Sequence, residues 1–300
     1  MKDPGLRDIH IARCSSENRD GANWNKVVRL PTPDGYFTHP EISRGGSAVA
    51  FWGICDGLWG IWYCILPSLE LHNVSKGDGT SCHPTWSPNG ECIAYSHSAV
   101  RADSLGAYGN PWLDGRSNSH RDIWVYSLKS GERRQLTHLG ADKERPAWSP
   151  DGKAIAYVAS NDDSKGIGIH TIQSGEEYPV ITGETLYYRP SWDPSGRRLA
   201  FNNKGPGDHV LWLCNVDGSD LRQLTKRPPG GPEIHDHGSW WSTNGNTILF
   251  HSDRGGSWGL WTVEIQSGSL HRITLPNFES VSHGTLDEEG KTMSFDAPRT

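Results

Sequence analysis

At 300 residues, with a formal net charge of −6 and 34% hydrophobic residues, the chain can bury a sizeable core but has no bulk positive charge to favour a nucleic-acid partner. No apolar run approaches membrane-spanning length, and the opening MKDPGLRDIH has no apolar stretch, so the expectation is a cytoplasmic protein with no membrane partner. The six cysteines (Cys14, Cys55, Cys64, Cys82, Cys92 and Cys214) contain no C-x-x-C pair and read as buried free thiols.

Residues 8–13 and 25–32 are two β-rich stretches that finish a unit rather than begin one. From His39 onward a pattern repeats. It reads His39-Pro-Glu-Ile42 followed by Gly45 and Gly46, then His83-Pro-Thr-Trp86 with Ser-Pro-Asn-Gly, then Arg145-Pro-Ala-Trp148 with Ser-Pro-Asp-Gly. Arg189-Pro-Ser-Trp192 with Asp-Pro-Ser-Gly follows. Two weaker copies are His237-Gly-Ser-Trp-Trp241, one residue out of register, and His283-Gly-Thr-Leu286. Each copy says strand, tight turn, strand: proline biases its predecessor towards extended conformations, and Pro-Asp-Gly or Pro-Asn-Gly supplies the turn. Short apolar runs such as 154–157, 198–201 and 247–250 are second strands. Third strands carry Ile61-Trp62, Ile123-Trp124, residues 167–169, Leu211-Trp212 and Leu260-Trp261. Fourth strands follow Ser-Gly or Asp-Gly turns in 130–137, 217–225 and 267–274.

Four antiparallel strands per repeat make a propeller blade. The chain stops after a second strand, 292–296, so its two ends complete one blade, closing the ring and removing exposed edges. The expected fold is therefore an all-β, six-bladed propeller of four-stranded blades, a single domain over residues 1–300. Its blades fall at approximately 33–80, 81–141, 142–184, 185–234, 235–280, and 281–300 with 1–32. Successive repeats begin 44, 62, 44, 48 and 46 residues apart. The long step is an insertion at 99–120, too long for a hairpin and too rich in Gly, Ser and Asn for core. It falls on the face where the innermost strands begin, as does the loop 226–236.

The WSPDG...IAY...IW...SGERRQLT pattern resembles the TolB-type blade, a relative of the WD-type repeats, over nearly the whole chain. The resemblance implies the propeller and says little about function.

The residue that begins each innermost strand points to the channel mouth, and those six positions read His39, His83, Arg145, Arg189, His237 and His283. Four of the fourteen histidines in six chosen positions is a concentration that needs a reason. Converging imidazoles suit a divalent transition metal such as manganese, iron, nickel or zinc. His39, His83, His237 and His283 are the expected ligands, with His235 as a further ligand or a base. Arg145 and Arg189 suit a substrate carboxylate or phosphate, Tyr187 and Tyr188 a pocket wall, and Glu41 and Glu233 are nearby carboxylates. Together these groups describe proton abstraction beside a carboxylate in a small anionic substrate, by His235 or Tyr188, with Arg145 and Arg189 stabilising the intermediate. That is the chemistry of a metal-dependent lyase or isomerase.

His235-Asp-His237-Gly-Ser-Trp, with residues 248–253 after it, is similar to the His-x-His-Pro-Ser-Phe stretch with which oligogalacturonate lyases open a late blade. There the histidines bind manganese, so the resemblance implies a metal site and a polyuronate substrate. The remaining family ligands are a histidine opening another blade, for which His283, His83 and His39 are candidates, and a glutamine ahead of the pair. Here Glu233 is the nearest residue to that glutamine, and those lyases have seven blades and longer chains.

The same residues also have quieter readings. Ring histidines and arginines can bond neighbouring backbone or channel water, Arg145 and Arg189 can pair with Glu144, Asp142 or Glu184, and His97 and His251 can support the site from second strands. The corresponding alternative is a non-catalytic TolB-type scaffold that binds a protein or peptide on the same face.

Overall fold

The computed structural model describes residues 7–14, 24–30, 36–55, 58–66, 68–99, 120–138, 140–161, 164–204, 208–273, 282–286 and 292–298. Residues 100–119 of the expected insertion lie outside them. The described residues form six four-stranded antiparallel sheets and no helix.

The two N-terminal strands are β1 (Arg7–Cys14) and β2 (Trp24–Arg29). Blade 1 comprises β3 (Tyr36–Ile42), β4 (Ala48–Cys55), β5 (Leu58–Ile65) and β6 (Glu70–Asn73). Blade 2 comprises β7 (Thr80–Trp86), β8 (Cys92–Ser98), β9 (Asp122–Ser127) and β10 (Arg133–Gln135). Blade 3 comprises β11 (Asp142–Trp148), β12 (Ala154–Ser160), β13 (Lys165–Thr171) and β14 (Glu177–Gly183). Blade 4 comprises β15 (Leu186–Trp192), β16 (Arg198–Lys204), β17 (His209–Asn215) and β18 (Arg222–Gln223). Blade 5 comprises β19 (Asp236–Trp241), β20 (Thr247–Ser252), β21 (Gly259–Glu264) and β22 (Leu270–Ile273). Blade 6 mixes the termini in the order β2-β1-β24-β23, with β23 (Ser282–Leu286) and β24 (Thr292–Pro298). The termini thus complete one blade, and the Ile42 N–H, donating to Thr285 Oγ1 at 3.0 Å, ties that blade to blade 1.

The turn after β11 shows how the motif closes. In Ser149-Pro-Asp-Gly152, Gly152 takes φ 71° and donates its N–H to the Ser149 carbonyl. Ser149 Oγ donates to Asp151 Oδ1 at 2.7 Å and accepts from the Ala154 N–H at 2.9 Å.

In blades 2, 4 and 5 the tryptophan that precedes the turn fastens its blade to the one before. Trp86 Nε1 donates to the Glu41 carbonyl at 3.0 Å, Trp192 to Ala147 at 3.0 Å and Trp241 to Ser191 at 3.2 Å. Between the blades lie apolar layers. Ile167 and Ile169 of blade 3 pack on Leu199 and Phe201 of blade 4, and Leu211 and Leu213 of blade 4 on Ile248 and Phe250 of blade 5. Each such side chain contributes about 1.5–3 kcal/mol on burial. The core is therefore a ring of interfaces around an open axis. Cys55, Cys64, Cys82 and Cys214 are buried free thiols, and burial pushes Cys82 up to about 12, which makes it a poor nucleophile.

Candidate functional site

Every innermost strand carries a β-bulge at its repeat start, where two residues face one on the second strand. In blade 1, Thr38 pairs with Trp52 and Glu41 with Ala50, leaving His39 and Pro40 opposite Phe51. The first bulge residue is left-handed in each full repeat: His39 (φ 53°), His83 (53°), Arg145 (55°) and Arg189 (47°). A non-glycine residue there costs on the order of 1 kcal/mol, and the surrounding sheet imposes it. In blade 5 the bulge position belongs to Gly238 (φ 73°), because His237 pairs with His251 and Trp240 with Leu249. His237 therefore stands one residue ahead of the position expected for it. His283 begins the bulge of β23, but its side chain lies outside the described residues.

This register divides the expected histidine ring. His39, His83, Arg145 and Arg189 line one end of a central cavity of about 330 Å³; His237 and His235 do not. His39 and His83 lie edge to face with centroids 5.7 Å apart, and both pack on Trp52 at 5.2 and 5.4 Å.

His237 keeps different company, in the quarter between blades 4 and 5. Its ring is 5.0 Å from His209, 5.4 Å from His251 and 5.6 Å from Trp258. His209 is in turn 5.1 Å from His235. The backbone makes this meeting: His209 forms a parallel bridge with His235, and its N–H donates to the Ile234 carbonyl at 2.9 Å. Between the two histidines of β19 and its approach, Asp236 points the other way and is fully buried. Its carboxylate accepts from Thr225 Oγ1 at 2.6 Å and is paired with Arg254, so strand alternation turns His235 and His237 from that anchor towards His209.

Asp253 holds His235 with both oxygens. Oδ1 accepts the His235 backbone N–H at 2.8 Å, and Oδ2 lies 2.7 Å from Nδ1. A carboxylate at Nδ1 keeps the proton there and gives Nε2 the lone pair.

The arginines reach this quarter through Tyr188. The Arg145 guanidinium lies 5.3 Å from the Tyr188 ring centre, and Tyr188 stacks on His209 at 6.2 Å with 13° between planes. Arg189 lies over Trp240 at 5.8 Å. Burial raises the Tyr188 phenol above its usual range, against the pull of Arg145, so at neutral pH it is a proton donor. Tyr187 turns into the core against Phe201, 5.7 Å away, so it forms no wall of the mouth. Glu144 and Asp142, weighed as partners for the ring arginines, are engaged by Arg121 at 2.6 and 3.4 Å. Glu184 makes no ion pair among the described residues, and Glu233 is exposed on the loop before β19. His97 bonds Ser81 at 2.8 Å and packs on Trp124.

Two imidazoles on one divalent ion, each bound at about 2.1 Å, have ring centres roughly 5 Å apart, which is the spacing of His209 to His235 and to His237. His251, nearly parallel to His237 at 14°, is stacked rather than convergent. The ring spacing and the Asp253 clamp suit a divalent ion, although among the described residues no three His, Cys, Asp or Glu side chains are already closed around one point. His209 was not foreseen: it lies in no repeat motif, and its signal is visible only once blades 4 and 5 are adjacent.

Oligogalacturonate lyase of Dickeya dadantii is 24% identical over 294 residues, covering 93% of this chain and 74% of the lyase. A solved oligogalacturonate lyase in complex with manganese superposes with TM-score 0.61 at 16% identity, covering 94% of this chain and 77% of that one. TolB from Acinetobacter baumannii superposes with TM-score 0.64 at 13% identity, covering 98% and 64%. At these identities the superpositions show the fold alone. The family model for the TolB β-propeller domain matches residues 144–298, half of the chain, and with the six closed blades it shows that this chain belongs to the TolB β-propeller domain family.

Proposed function

We propose that the protein is a metal-dependent lyase or isomerase acting on a small carboxylated substrate, such as a sugar acid, at the mouth between blades 3 and 5. The observation that carries this reading is the unbroken path of rings from Arg145 through Tyr188 and His209 to His235 and His237. It joins an anion-binding group to a cluster suited to a divalent ion. Similarity to the Dickeya lyase over most of both chains supports the reaction class, and the relative solved with manganese supports that ion.

His209, His237 and His235 are the residues that would hold the ion, which when bound supplies positive charge to stabilise an enolate-like intermediate. Arg145 and Arg189 bind the substrate carboxylate and spread its charge. The Tyr188 hydroxyl, kept protonated by burial, donates to the leaving oxygen. Because Asp253 fixes the His235 proton on Nδ1, Nε2 can serve either as a ligand or as acceptor of the proton next to the carboxylate.

The test is β-elimination on short polyuronates with added manganese, followed by the ultraviolet absorbance of the unsaturated product, in wild type and in His235→Ala. Turnover that needs the ion and falls at least 100-fold in the variant supports the reading. Retained manganese affinity in His235→Ala assigns His235 as base, and lost affinity assigns it as ligand. No turnover on any uronate or other carboxylated sugar, with or without divalent ions, overturns the lyase reading in favour of a binding scaffold.

A further inference from the structure

The loop 226–236 carries His235 to His209, and its own backbone does little to fix it. Pro228, Pro229 and Pro232 have no N–H to donate. One turn organises its tip: Gly231 donates to the Pro228 carbonyl at 3.0 Å, with Pro229 and Gly230 (φ 70°) at the corners. The stretch after that turn is held from outside.

Two carboxylates hold it. The Ile234 N–H donates to Asp208 Oδ1 at 3.2 Å, and the next amide, that of His235, donates to Asp253 Oδ1 at 2.8 Å. Asp253 also meets the His235 ring, so its part in the cluster is direct. Asp208 works on the backbone. Its Oδ2 lies 3.3 Å from Nε of Arg227, near the start of the same loop, so one carboxylate gathers both ends of the loop. Asp208 also immediately precedes His209, whose N–H returns a bond to the Ile234 carbonyl at 2.9 Å. Residues 208–209 and 234–235 are thus joined reciprocally, which sets the His209 and His235 rings 5.1 Å apart. Ile234 is buried, and an amide there is costly to leave without an acceptor.

We propose that Asp208 is a positioning residue of the metal cluster: through the Ile234 amide it sets the arm that brings His235 to His209. The inference rests on the metal-dependent reading of this quarter, but the arm's geometry is a property of the chain itself. Without the carboxylate, residues 234–235 can draw back from His209. A partner that orients a ligand in this way typically changes metal affinity about 10–100-fold. The Arg227 pair contributes less, because Arg227 is exposed. What counts is the acceptor at Oδ1, which asparagine also supplies.

The experiment compares wild type, Asp208→Ala, Asp208→Asn and His209→Ala/His237→Ala, each checked by thermal melting. Metal-free protein is followed by amide hydrogen exchange at His209 and His235, whose own bonds go to Ile234 and Asp253 rather than to Asp208. Cobalt(II) alone is then titrated, and its visible absorption reads affinity and ligand geometry together. In Asp208→Ala both amides should exchange about tenfold faster or more, the cobalt dissociation constant should rise about tenfold or more, and the visible band should change. Asp208→Asn should bring exchange and affinity back to within about threefold of wild type. If Asp208→Ala does not fold, Asp208→Ser, too short to reach the Ile234 amide, carries the same test. Unchanged exchange at His209 and His235, unchanged cobalt affinity, or damage in Asp208→Asn equal to that in the shortened variant overturns the proposal. No cobalt uptake by wild type, or full uptake by the double histidine variant, defeats the metal reading instead. The exchange comparison then still decides whether Asp208 sets the arm.

Discussion

Two arcs of one ring, both rich in histidine, have opposite characters. On blades 1 and 2, His39 and His83 sit in the bulges that the repeat dictates, pressed on Trp52, with His83 buried. On blades 4 and 5, His209, His235 and His237 meet because the repeat is broken: Gly238 takes the bulge, and the loop before β19 carries His235 against His209. Equal repeat positions thus make equal backbone, not equal chemistry. The candidate chemistry gathers where the pattern slips.

The strongest way to break this comparison is to remove histidines from each arc in turn. His209→Ala with His237→Ala should weaken manganese binding at least ~100-fold, measured by calorimetry, since two nitrogen ligands are lost. His39→Ala with His83→Ala should change it less than twofold, and equal losses in both would erase the distinction between the arcs.

Gly238→Ala sharpens the same contrast through the backbone. At φ 73° an added Cβ would also stand 2.3 Å from the Trp240 ring, so denaturant unfolding should show a loss of about 2–4 kcal/mol. A smaller effect is expected from Asp253→Asn. With the His235 proton no longer held on Nδ1, metal affinity should fall about 10–100-fold, with little change in melting temperature.

The last predicted effect is a pH slope. Burial pushes the Glu41 carboxyl up to about 7, against the opposing bonds from Thr85 and Trp86. Between the ordinary carboxyl value of 4.5 and about 7 the folded chain then holds a proton that the unfolded chain has released, so stability falls as pH rises through that window and is flat above it. Glu41→Gln should remove a slope on the order of 3 kcal/mol, read from melts at pH 4.5 and 8.

Much of the fold was legible because it is written in local chemistry. Ser149-Pro-Asp-Gly152 needs no distant partner to declare a turn, and two inner strands missing at one end with two outer strands missing at the other declare closure. Blade count and the pairing of β1 with β24 follow from that. The candidate site was legible only in part. His235, His237, Arg145, Arg189 and Tyr188 stand in recognisable motifs; of these Arg145 and Arg189 line the central cavity, while His235 and His237 lie beside His209 instead. His209 begins β17 of the neighbouring blade, and Asp253 stands in the bend after β20, so the contact of each with His235 shows only once β17, β19 and β20 are side by side. The one-residue slip at Gly238 was visible in the spelling of the repeat, yet its effect on side-chain direction depends on the bulge. Tyr187 was misplaced for a related reason: alternate residues of a strand face opposite ways, and only its neighbour looks outward.

The central claim is that the arc between blades 4 and 5, not the ring as a whole, holds a divalent ion. The most direct measurement is metal content by inductively coupled plasma mass spectrometry, on untagged protein exchanged against manganese and washed, for wild type, His209→Ala/His237→Ala and His39→Ala/His83→Ala. The account predicts near-stoichiometric manganese in wild type and in the His39 and His83 variant, and none in the other. Equal metal in all three proteins, or none in any, would contradict it.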